Sequence, residues 1–153
     1  MADPVVIPEG LQITPQEIRD YLADSPENNH LIDGEEFTDA RILIAMKMAL
    51  STFNSTPPIS IKLQVQQMPA DILLYGTLWH LYNGQMALAA RNQMSYSDGG
   101  LTVPIEERYQ FFVQMAQMYE NQFTQAIKAY KVSMNMDSGW GEIRTDYATF
   151  PIW

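Results

Sequence analysis

The spacing of apolar and polar positions changes several times along the chain, and each change predicts an element. In residues 1–13, Pro4 and Pro8 bracket Val5-Val6-Ile7, and Gly10 follows. Proline fixes φ and biases its predecessor away from helix, so an extended N-terminal arm is expected. Thr14-Pro15-Gln16-Glu17 then reads as a helix start. Threonine suits the cap, proline the first helical position, and glutamate the third position of a capping box. This first helix should run to about Ala23 and end in the loop Ser25-Pro26-Glu27-Asn28-Asn29. Asp33-Gly34-Glu35-Glu36 should open a second helix, with acids at its positive end. Its apolar face is read as Phe37, Ala40, Ile44, Met48 and Ala49, and Phe53-Asn54-Ser55-Thr56-Pro57-Pro58 should stop it.

Ile59, Ile61, Leu63 and Val65 alternate with Ser60, Lys62 and Gln64. A period of two predicts a short strand or an extended connector. Pro69-Ala70-Asp71 should open a third helix reaching about Asn92. Asp98-Gly99 inside Tyr96–Val103 is a tight-turn signal. Pro104 should open the longest helix, to about Met136, with an apolar stripe at Tyr109, Phe112, Ala116, Tyr119, Phe123, Ala126 and Tyr130. Asp137-Ser138-Gly139-Trp140-Gly141 should break it, leaving an extended aromatic tail. The expected organisation is an arm (1–13), a helical domain (14–136) and a tail (137–153). The fold class is mainly α: an elongated bundle of about four helices. At 1.5 Å per residue the third helix is roughly 35 Å long and the fourth roughly 50 Å. A compact chain of this size has a radius of gyration of about 15 Å, so the last helix should project or the molecule be elongated. A partner subunit would cover the surplus stripe, unless the helix is kinked or shorter.

Composition adds a charge asymmetry. Of the net −9, all of it comes from residues 1–40, where ten acids face the single base Arg19; the remaining residues hold eight acids and eight bases. A negative field over the N-terminal quarter would repel a phosphate backbone and attract a basic surface, or simply favour solubility. Cysteine is absent, which excludes disulfides and thiol chemistry. Met1-Ala2-Asp3-Pro4 has neither a basic region nor an apolar run, so no signal peptide is expected. Ile72–Ala90 carries no formal charge and approaches spanning length, but His80, Asn83, Gln85 and two glycines suit a buried helix in a bundle better than lipid.

Catalytic and metal motifs fail on inspection. His80, in the apolar third helix, reads as a hydrogen-bonded core histidine. Glu27-Asn28-Asn29-His30 has the carboxylate–histidine spacing of di-iron bundles, but only once and beside Pro26. A calcium loop aligned on Gly34 would place Leu31 at a ligand position. Ser97-Asp98-Gly99-Gly100 lacks the lysine of a phosphate loop, and no G-x-S-x-G elbow occurs. Glu106-Glu107 are ordinary acids at a helix start. Lys128 and Lys131 read as complements to the dipole at the end of the last helix, and two lysines make no nucleic-acid patch. The ten methionines read mainly as core filler, with some able to form adaptable contact surfaces.

The run Ala89-Ala90-Arg91-Asn92-Gln93-Met94-Ser95-Tyr96-Ser97-Asp98-Gly99-Gly100-Leu101-Thr102-Val103 precedes the long helix from Pro104 and its Lys128-Ala129-Tyr130-Lys131. With the acidic arm and the aromatic tail, this arrangement resembles the head-to-tail adaptor (neck or connector) proteins of tailed bacteriophages, over residues 70–150. The resemblance implies a non-enzymatic virion protein made in the host cytoplasm and located in the virion neck. It implies a homo-oligomeric ring, usually twelvefold, beneath the portal, whose termini dock on the portal, on neighbours or on tail and neck proteins. DNA would pass without sequence-specific binding, and no membrane is involved. No catalytic, cofactor or metal residue is expected. The contact residues expected in the tail are Trp140, Tyr147, Phe150 and Trp153, since aromatic anchors in extended segments commonly dock on partners; folding back over the bundle is the alternative. The rival functions are another virion part (capsid auxiliary, tail or baseplate) and a cytoplasmic helical enzyme or regulator built around His80 with Tyr75, Trp79 and Tyr82.

Overall fold

The computed structural model describes residues 7–29, 34–59, 61–91, 97–98, 101–102 and 106–140. Among them are four α-helices: α1 (Pro15–Leu22), α2 (Asp39–Ser55), α3 (Ala70–Arg91) and α4 (Glu106–Trp140). A single 3-10 turn covers Val65–Gln67, and two-residue strands β1 (Ser97–Asp98) and β2 (Leu101–Thr102) precede α4. The expected mainly-α helical bundle is the observed architecture. The strands pair antiparallel, Ser97 with Thr102 and Asp98 with Leu101, where the Asp-Gly signal lies.

Helix α1 starts as its sequence dictates. The Glu17 backbone N–H donates to the Thr14 hydroxyl at 3.3 Å, and the Thr14 N–H donates to the Glu17 carboxylate at 2.7 Å. The Thr14 N–H and hydroxyl, both donating to it, hold the Glu17 carboxyl below its usual range. The helix ends at Ala23, which adopts the left-handed conformation at φ 53°. Arg19, the one base among ten acids, is buried. It reaches the Asp39 carboxylate at the first turn of α2 and donates to the Phe37 carbonyl, tying α1 to the start of α2.

The second helix begins at Asp39, later than the expected Asp33–Glu36 start. Residues 36 and 37 are committed elsewhere. The buried Asp24 carboxylate accepts the backbone N–H groups of Glu36 at 2.7 Å and Phe37 at 2.8 Å, and Gly34 sits at φ 130°. The buried face of α2 also differs from the one read from the sequence. Ile42, Ala45, Met46, Ala49 and Phe53 are buried, whereas Ala40, Ile44 and Met48 are exposed. Apolar residues cover two stripes of this helix at similar spacing, and only one is buried in the core.

Residues 61–64 pair with no strand among the described residues; the connector alternative is the observed one. Asn54 replaces a neighbouring strand. Its side-chain amide donates to the Leu63 carbonyl at 3.0 Å, and its oxygen accepts the Leu63 N–H at 2.9 Å. Gln12 donates to the Gln66 carbonyl at 3.0 Å, so the described part of the N-terminal arm lies along this connector. Leu11 and Ile13 pack against the core there.

Helix α3 is the centre, packed on α2 on one side and α4 on the other. Gly76 marks where the three meet. A Cβ added there would lie 2.7 Å from the Ala49 Cβ and 2.7 Å from the Phe123 ring. Farther along α3, Tyr82 stacks on Tyr119 at 5.6 Å and meets Phe37 edge-on at 6.5 Å. Each step forward on α3 therefore pairs with a step backward on α2 and α4, and the bundle runs up-down-up. Among the described residues no helix is long and apolar enough to cross a membrane.

Helix α4 follows the expected stripe, with Ala116, Tyr119, Phe123 and Ile127 buried. It does not stop near Met136 but continues through Asp137–Gly139 to Trp140. Serine and one glycine cost a growing helix only about 1 kcal/mol each at most, and no proline intervenes. Lys131 is therefore not a complement to its own helix end. It is buried, and its ammonium donates to the carbonyls of Phe53 at 2.7 Å, Thr56 and Pro58 at 3.3 Å, closing the C-terminus of α2. It also sits 4.7 Å from the Phe53 ring centroid.

Two consequences are measurable by urea denaturation. Lys131→Met keeps the apolar stem and removes the donor, and should cost about 1.5–3 kcal/mol, the range for hydrogen bonds to a charged group. An unchanged midpoint would refute the capping role. Gly76→Ala should destabilise by about 1–3 kcal/mol through overpacking. Gly84→Ala, where an added Cβ meets nothing within 4 Å, should stabilise by about 0.5–1 kcal/mol through helix propensity.

Candidate functional site

The side of α2 that does not meet the core faces a cleft shared with α3. Arg41, Ile44 and Met48 supply one wall; His80, Gly84 and Arg91 supply the other. The cavity is about 330 Å³, at the lower end of the range of small-molecule sites, roughly 300–1,000 Å³. The helical repeat explains the lining. His80, Gly84, Leu88 and Arg91 follow one another at three- or four-residue steps along α3, as do Arg41, Ile44 and Met48 along α2. Ile44 and Met48 are more than half exposed.

His80 does not behave as the hydrogen-bonded core histidine expected from the sequence. Its Nε2 is buried and has no hydrogen-bond partner among the described residues. Its ring lies 4.4 Å from the Trp79 indole, and burial pushes its pKa down. Neither Arg41 nor Arg91 forms an ion pair with a carboxylate among the described residues; Arg91 Nε donates to the Ala87 carbonyl on its own helix. Burial and the Asp24 carboxylate push Glu36 up, while the charges of Arg108 and Arg41 act against that rise.

Tyr75, Trp79 and Tyr82 do not join His80 in this cleft. Trp79 packs against Phe123 at 5.9 Å, and Tyr82 lies in the α3–α4 core. Tyr119 beside it is pushed up to about 12 by burial and by its tyrosine neighbours. Among the described residues the cleft brings together no acid–base pair around an accessible nucleophile. Among the described residues no cluster of His, Asp and Glu could hold a metal. What the described lining offers is an apolar trough, two arginines and a buried imidazole nitrogen.

A second feature lies at the far end of α4. Beyond Lys131, residues 132–136 are all exposed, and Val132, Met134 and Met136 are large and apolar. Helix α4 is about 52 Å long at 1.5 Å per residue, against about 33 Å for α3. Its last nine residues, 132–140, extend past the point where Lys131 closes α2. Of the tail residues read as contacts, Trp140 is the last residue of this helix, with its side chain outside the described residues. Tyr147, Phe150 and Trp153 lie outside the described residues altogether.

Arg41, Gly84, Arg91 and Lys131 were not singled out as functional from the sequence. Gly84 and Lys131 carried a signal. Gly84 interrupts an otherwise apolar helix, and Lys131 falls four residues after Ile127 on the apolar stripe, where a charge needs a buried partner. Comparison with protein-family models, with curated proteins and with solved structures finds no match.

The lowered His80 pKa has a signed consequence. Folded His80 resists protonation, whereas unfolded His80 takes up a proton near its ordinary value of 6.5. The unfolded state therefore binds more protons in this region, so stability falls as pH drops through and below 6.5. The Tm should fall between about pH 7.5 and about pH 5.5, and His80→Gln should fall less over the same interval. An equal decline in the variant would show that His80 is not the sensing group.

Proposed function

We propose that this chain is a non-enzymatic structural protein that assembles with copies of itself, of the kind found as the head-to-tail adaptor ring in the neck of tailed bacteriophages. The observation that carries this reading is the end of α4. A helix that outruns its own bundle and leaves Val132, Met134 and Met136 exposed has apolar surface that the described residues do not cover. Methionine-rich surfaces of this type adapt to partners. The acidic N-terminal quarter also supports it, because a negative surface lets DNA pass without adhering. The assembled ring would contact the portal above and tail or neck proteins below. Trp140, Tyr147, Phe150 and Trp153 would serve as anchors on a neighbour or on the portal.

Light scattering on the purified chain should give a large discrete oligomer, and negative-stain images should show rings. Removing residues 137–153 should return the protein to a monomer while leaving helical circular dichroism nearly unchanged. A monomeric wild type, or a truncated chain that assembles as before, would overturn the reading. Discrete particles without rings would point instead to another virion part, such as a capsid auxiliary or baseplate protein.

A further inference from the structure

We propose that the end of α4 in one copy docks as a helix into the α2–α3 cleft of the next copy. This inference rests on the self-assembly reading above and names the two surfaces that meet.

The lengths agree. Residues 132–140 rise about 14 Å as a helix, and the α3 wall from His80 to Arg91 spans about 16 Å. The chemistry agrees as well. The trough offers Ile44 and Met48, both more than half exposed, and the helix end offers Val132 and Met136, four residues apart on one face, with Met134 on the other side. An apolar helix face laid into an apolar groove is a recurrent recognition mode. Gly84 leaves the floor open, with nothing within 4 Å of where a side chain would begin.

Charge supplies the complementarity. The C-terminus of a helix carries roughly half a negative charge from its unpaired carbonyls. Basic residues in the last turn usually offset this, but α4 has none there. The cleft carries Arg41 and Arg91, neither ion-paired among the described residues, and Arg41 also acts on Glu36. A carbonyl-rich negative end would meet an arginine-flanked trough.

The contact cannot form within one chain. Lys131 fixes α4 beside the C-terminus of α2 at Phe53 and Thr56, and α4 continues in the direction that α2 runs. The cleft lies along the earlier part of α2, between Phe37 and Met48. A continuous helix leads away from it. A contact between two different surfaces of one chain is heterologous. Such contacts close into rings when the rotation permits.

The test uses two exposed substitutions that leave the core untouched. Ile44→Glu blocks the cleft, and Met136→Glu blocks the helix end. Each variant alone should run as a folded 17.5 kDa monomer, with helical circular dichroism unchanged. Mixed one to one, they still possess one intact cleft and one intact helix end between them. The mixture should therefore form a dimer of about 35 kDa, twice the chain mass, and stop there. A mixture that stays monomeric, or single variants that assemble like the wild type, would overturn the docking. If the wild type assembles and Ile44→Glu assembles equally, the cleft contact fails while the assembly reading stands. If the wild type is monomeric at every concentration, both fail.

Discussion

A single ammonium group at the meeting point of two helices organises this molecule. Lys131 takes its charge into the bundle and spends its donors on the carbonyls that α2 leaves open at its C-terminus. Burying an unpaired ammonium would cost several kcal/mol, so the site is stable only with those acceptors in place. Burial still lowers the lysine pKa, the signature of a charge held where water would otherwise be. The same contact fixes how far α4 is inserted. The described buried residues of α4 all lie at or before Lys131, and residues 132–136 beyond it are exposed.

The close approach at Gly76 fixes the other coordinate. With Ala49 and Phe123 both in contact range of the missing side chain, α2 and α4 come as near to α3 as backbone allows. Helix insertion is thus set at one end by an electrostatic cap and at the middle by steric fit. Arg19 performs a related task for α1, pairing with Asp39 and Glu35 while bonding the Phe37 carbonyl. Two buried cations thereby hold the start and the finish of α2.

Helices α1, α3 and α4 were legible because their signals are local. Thr14 to Glu17 forms a complete capping box, and the α4 stripe from Phe112 to Tyr130 repeats at helical spacing. The start of α2 was misplaced because Asp24, twelve residues earlier, claims the backbone of Glu36; no local pattern encodes that. Its buried face was misassigned because α2 is apolar on two stripes and tertiary contact chooses between them. The cleft was illegible for the same reason: Ile44 and Met48 read as core until the other stripe, Ile42 to Phe53, is seen buried against α3. The end of α4 was misread because glycine and serine weaken a helix without stopping it.

The Asn54 clasp on Leu63 bears on colloidal behaviour. Residues 59–65 have the alternating, β-branched character of a segment that could recruit a second strand edge to edge. Asn54 occupies both the N–H and the carbonyl of Leu63, so the middle of that template is closed within the folded chain. The folded chain is thereby shielded from sticking to another through this stretch of its backbone.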